Sequence, residues 1–212
     1  MDDPGPDLTP EVNRLLSESD DLRHQAMAGK IRDDYREILT NAKEAHRRIV
    51  TLKKFARKLK LVTADALVTP QITSERYEEI WGAMDEFKHG IFETKQKTSA
   101  LADSVTHTWE RIGKMAVEEA VLKPIMMAVL LNGLQLAIAY AEYNLALTTI
   151  WIRIDECVRA MRNHPDVYIA NAQSVHRNSA QLYQEATDLE YNHGLMVSQL
   201  ETEIADIETH LG

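Results

Sequence analysis

From Ile31 onward the apolar positions keep a 4-3 spacing through Tyr35, Ile38, Ala42, Ala45, Ile49, Leu52, Ala56 and Leu59. That spacing holds one face of a helix apolar over about four heptads, and it predicts a long helix packed along a coiled-coil-like seam. Upstream, Thr9 can cap the helix and Pro10 suits its first position, where the missing N–H would have had no partner. The first helix is expected over about residues 10–62, with breaks open near Ser17 to Asp21 or at Gly29. Leu61 to Thr69 then reads as a connection closing at Pro70.

A second stripe, Tyr77, Ile80, Met84, Phe87 and Ile91, follows a cap at Thr73 or Ser74, with Ile72 as a staple. Glu75, Glu78 and Glu79 sit in its first turn, where carboxylates favour the positive helix end. The stripe weakens through Thr94 and Thr98, read as an exposed or flexible stretch, and returns at Leu101, Val105, Ile112, Met115 and Leu122. Pro124 and Pro165 bracket a third segment, and a fourth carries Val175, Leu182, Ala186, Leu189, His193, Met196, Leu200, Ile204, Ile207 and Leu211. No segment shows the alternation that a half-buried strand requires. The expected fold is all-α: an elongated antiparallel bundle of about four long helices, near 10–62, 74–122, 124–163 and 166–211, behind a disordered acidic N-terminus at 1–9. Helices of about 45 residues span roughly 65 Å, so residues 10–212 form one rod-like domain.

Ile125 to Trp151 is apolar on every side and long enough to cross a bilayer, although Asn132, Gly133, Gln135, Glu142 and Asn144 lie within it. A helix apolar all round is surrounded either by protein or by lipid. Three readings follow: a central helix sheathed by the other three, a concealed segment that enters a membrane, or an oligomer interface. The membrane reading assigns insertion to Ile125, Met126, Met127, Val129, Leu130, Leu131, Leu134, Leu136, Ile138 and Tyr140. Asn132-Gly133 is also a favoured turn pair, which leaves a hydrophobic hairpin open as well as a helix.

Long amphipathic rods around one apolar segment resemble the α-helical pore-forming toxins of the cytolysin A and xenorhabdolysin type. The resemblance is architectural and covers most of the chain. It implies that Ile125 to Tyr143 is the membrane-entering element and that the rods assemble into an oligomer.

Charge narrows the partners. A net charge of −9 and a pI near 5.4 disfavour nucleic acid, whose phosphates need a basic surface. Within that acidic chain, Arg47, Arg48, Lys53, Lys54, Arg57 and Lys58 form a basic run, either a solvated helix face or a docking patch for an anionic partner or lipid headgroups. The single cysteine, Cys157, makes no intrachain disulfide, and the acidic, turn-rich start lacks the apolar core of a secretory signal. A soluble protein is expected, cytoplasmic or released without a standard signal peptide.

Catalytic signatures are missing: there is no phosphate-binding glycine loop, no metalloprotease helix motif and no nucleophile elbow. No cofactor and no small-molecule substrate are expected. Two E-x-x-H spacings, Glu86/His89 and Glu190/His193, leave room for a carboxylate di-metal site completed by Glu44 and Glu119 or Glu142. The sequence therefore points to association. The expectations are a membrane-active, pore-forming type first, a coiled-coil scaffold binding a protein partner or itself second, and a di-metal protein third.

Overall fold

A computed structural model describes residues 9–68, 72–114 and 120–211. Four long helices account for nearly all of them: α1 (Thr9–Asp65), α2 (Ser74–Lys114), α3 (Leu122–Asn163) and α4 (Tyr168–Leu211), with a 3₁₀ turn at Pro165–Val167 before α4. No strand occurs among the described residues. The all-α antiparallel bundle expected from the periodicity is what the chain forms.

The ends follow local chemistry. Thr73 Oγ1 accepts the Arg76 N–H at 3.1 Å, the side-chain cap expected there, and Ile72 packs on the core beside it. Asn163 closes α3 one residue before His164, whose N–H reaches back to the Ala160 carbonyl at 2.9 Å, ahead of Pro165. Of the acidic N-terminus expected at 1–9, residues 1–8 lie outside the described residues, as does the stripe position Met115, while Thr9 already belongs to α1.

Cross-links fix the directions. Arg36 with Glu208, Lys43 with Glu201 and Lys53 with Glu190 run α1 against α4. Asn41 with Ser104, Arg48 with Glu93 and Lys58 with Glu86 run α1 against α2. Asn132 with Glu203 and Tyr143 with Asn192 do the same for α3 and α4. Each helix packs on its two sequence neighbours in the ring, α1 and α4 closing it, while α1 and α3 barely touch and stand at diagonal corners.

The seam of α1 is the spine of the core, with every position from Tyr35 to Leu59 in the 4-3 pattern fully buried. Two apolar clusters share the interior, one toward the α1–α2 connection around Leu52, Phe87, Ile154 and Leu182, the other around Ile38, Leu101, Leu136 and Leu200. Between them lies a polar layer that includes Thr94, Thr98, His46 and His193.

Five local expectations are corrected. α1 runs unbroken past Ser17 to Asp21 and past Gly29, and it continues to Asp65. Thr94 and Thr98 are buried rather than exposed, because their hydroxyls donate to the carbonyls of Gly90 and Thr94 and so enter the core satisfied. α4 starts two residues later than expected, after the 3₁₀ turn, and Leu122, expected to close the second helix, opens α3 two residues before the expected start at 124. The Asn132-Gly133 pair is helical, with no positive φ, so the apolar segment is a helix and not a hairpin.

Candidate functional site

The apolar segment is a corner helix, not one sheathed on all sides. α3 is long and apolar enough to span a membrane by length and composition, yet only 33% of its most apolar window is buried in the bundle. The buried side is well anchored. Tyr140 donates its hydroxyl to the Ile91 carbonyl at 2.9 Å and Trp151 its ring N–H to the Met84 carbonyl at 3.3 Å, both on α2. On the α4 side, the Asn132 amide donates to both oxygens of Glu203 at 2.8 Å.

The outer side carries a second seam. Leu131 (51% exposed), Ile138 (49%), Leu145 (72%) and Ile152 (45%) recur every seventh residue, with Leu134 and Ala141 interleaved at the three-residue step. A seven-residue spacing drifts only about 20° per step around a helix, so the four side chains stay on one face. Gln135, Glu142 and Thr149, also seven apart, run along the edge nearer α4 and are exposed. On the other edge Lys88 Nζ of α2 lies over the Trp151 ring, 5.4 Å from its centroid, in a cation–π contact.

The ten residues assigned to membrane entry divide between the two faces. Met126, Val129, Leu130, Leu136 and Tyr140 are buried, Ile125 and Met127 are half-buried, and Leu131, Leu134 and Ile138 are exposed. Leu145 and Ile152 were not among them, although the seven-residue spacing from Leu131 and Ile138 marks them in the sequence.

The basic run on α1 is not brought to one open patch. Arg48 bonds Glu93 at 2.9 Å, Lys58 bonds Glu86 at 2.7 Å and Lys53 pairs with Glu190, so these three bridge α1 to its neighbours. Hydrogen bonding to Glu190 accordingly raises the Lys53 pKa. Arg47 pairs locally with Glu44, while Lys54 and Arg57 are exposed.

Among the described residues no group of three or more histidine, cysteine or acidic side chains is placed to hold a metal. Of the candidate ligands, Glu86 is held by Lys58 and Glu190 by Lys53, His89 lies by Asp85, Glu142 faces outward, and Glu119 is outside the described residues. His193 instead stacks on His46, ring centroids 5.6 Å apart, and neither of its ring nitrogens has a hydrogen-bond partner. Burial, followed by the neighbouring His46, lowers its pKa to about 4.

Comparison with known proteins finds no matching family model, no matching curated protein and no matching solved structure.

Proposed function

We propose that the protein acts by association rather than catalysis, and that the outer face of α3 is the surface through which it binds another helix. One observation carries this reading: a regular row of large aliphatic side chains stands exposed over three heptads of a helix whose opposite side is firmly packed. Fully burying one such side chain is worth about 1.5–3 kcal/mol, so a partner covering the row gains several kcal/mol before ordering costs. A facing helix uses the seven-residue register, because its knobs need evenly placed holes, whereas lipid tails read no register.

A second reading, entry of α3 into a membrane, is supported by the length and apolarity of the helix and by its outward position. Glu142 and Gln135 weigh against it. They lie midway along the apolar segment, where a charge in a bilayer costs about 3 kcal/mol or more, but on the edge nearer α4, the rim of a helix–helix seam, they stay in water. The exposed face also has no Lys or Arg between Lys123 and Arg153, unlike interfacial helices that lie on anionic lipid.

The double substitution Ile138→Asp/Leu145→Asp separates the readings, since both side chains are exposed and the fold does not depend on them. Helix association predicts that wild type exceeds the mass of its 24.1 kDa chain, alone or in cell extract, that the variant returns to monomer, and that neither releases dye from liposomes. Dye release by wild type, abolished in the variant, would transfer the assignment to the membrane. Identical behaviour of the two proteins in both assays would remove the outer face of α3 from the function.

A further inference from the structure

Resting on the reading of α3 as an association surface, we infer that the helix covering it is the N-terminal arm of a second copy of this chain, Val12 to Gly29 of α1, and that copies join head to tail. The arm extends past the bundle: the described side chains from Pro10 to Ala26 are all exposed, and the buried seam of α1 begins only at Ile31. It nevertheless has a seam of its own. Val12, Leu15, Ser19, Leu22, Ala26 and Gly29 follow alternating steps of three and four, and Val12, Leu15 and Leu22 are exposed large aliphatics. At 3.6 residues per turn this row is rotated roughly 150° from the row that enters the core, so it faces away from the chain's own bundle. Gly29 has nothing within 4 Å of a Cβ position, which leaves the row's inner end open as well.

Length and charge both fit the outer face of α3. Val12 to Gly29 spans about 26 Å and Leu131 to Ile152 about 32 Å. One flank of the arm's row carries Glu11, Glu18 and Gln25; the other carries Leu16, Arg23 and Lys30. One flank of the α3 row carries Gln135, Glu142 and Thr149; beyond the other lies Lys88, with Lys95 one heptad further along α2. Antiparallel docking sets Glu11 and Glu18 toward Lys88 and Lys95, and Arg23 and Lys30 toward Glu142. Parallel docking would oppose Glu18 to Glu142 and Arg23 to the lysines, so the charges select the antiparallel sense. Among the described residues Glu11 and Glu18 pair with Arg14 on the exposed arm, a contact easily exchanged.

Topology then dictates the form of the assembly. Because α1 and α3 occupy diagonal corners, the arm's seam and the α3 outer face point to opposite sides of the molecule. A copy that gives its arm to one neighbour offers its α3 face to another. The contact is therefore heterologous and repeats, giving an open chain or a closed ring. The buried area is about 1,000 Å², for a seam of this length and one helix width, at the small end of specific interfaces, so assembly belongs at micromolar concentrations and above.

Sedimentation of the full chain from micromolar to near-millimolar concentration tests this, using exposed positions that leave folding intact by circular dichroism. Wild type should grow beyond a dimer. The arm variant Leu15→Asp/Leu22→Asp and the face variant Ile138→Asp/Leu145→Asp should each weaken self-association more than tenfold. Mixed, they should form a 1:1 pair through the one sound arm and the one sound face, and grow no further. Glu142→Arg should weaken wild-type assembly several-fold, and Arg23→Glu/Lys30→Glu in the same chain should recover it. A wild type that stays monomeric, or that stops at a dimer, overturns the inference. An arm variant that assembles like wild type while the face variant does not would overturn the arm's role yet leave α3 as the association surface. If neither variant alters the assembly, both readings fall.

Discussion

Gly133 lies where α3 comes close to Val105 of α2 and Ile38 of α1. Beside Asn132 it reads as a turn, but turn pairs act where flanking strands alternate, and here apolar residues on both sides favour a continuous helix. The glycine serves close packing: a Cβ there would lie 2.6 Å from Val105 Cγ2 and 3.4 Å from Ile38 Cγ2. Gly133→Ala should therefore destabilise the bundle by about 1–3 kcal/mol in chemical denaturation, overriding the gain of about 1 kcal/mol in helix propensity. Gly82→Ala, where a Cβ meets nothing within 4 Å, should show that gain alone. His193 was legible as a core position from its place on the α4 stripe, but its partner was not, because stacking on His46 joins helices far apart in the chain. Its pKa near 4 sets a pH dependence. The folded protein keeps the ring neutral while the unfolded chain binds a proton from about pH 6.5 downward. Stability from this group is thus complete above pH 6.5 and is lost, by on the order of 3 kcal/mol, as pH falls to about 4. In denaturant titrations across that window, His193→Leu should give a flatter pH profile than wild type.

Among the elements, α1 was the most readable, since one apolar row against a charged background gives an unmistakable period. Its arm was harder to read, because the row changes faces near Gly29 and a change of register resembles a break. α3 gave the opposite difficulty. When every face is apolar, periodicity says nothing about which face is buried, and only packing against α2 and α4 separates Leu136 and Leu147, fully buried, from Ile138 and Leu145. The weak middle of α2 misleads for a related reason: threonines look polar in sequence, yet Thr94 and Thr98 satisfy their hydroxyls within the helix. A chain starting at Lys30 loses none of the buried core, so its thermal midpoint should stay within about 2 °C of wild type, and its self-association should disappear. A large fall in that midpoint would mean that the arm packs on its own bundle.

For the whole molecule, the four-cornered ring explains why an apolar helix is stable in water: two neighbours cover one side of α3 and leave the other side as a surface. The basic run on α1, Arg47 to Lys58, and the acidic end of α4, Glu201 to Glu208, occupy opposite halves of the rod. Much of that basic charge holds helices together, which makes the outer face of α3 the more distinctive surface. The most direct test of its coverage is thiol accessibility. Cys157, half-buried and bonded to Ser174, is replaced by Ser, and a single cysteine is placed at Leu145 or, as control, at the exposed Leu61 of α1. On raising the protein from dilute to near-millimolar concentration, alkylation at position 145 should slow more than tenfold while position 61 keeps its rate. Equal, undiminished rates at both positions would contradict the claim that a second copy covers this face.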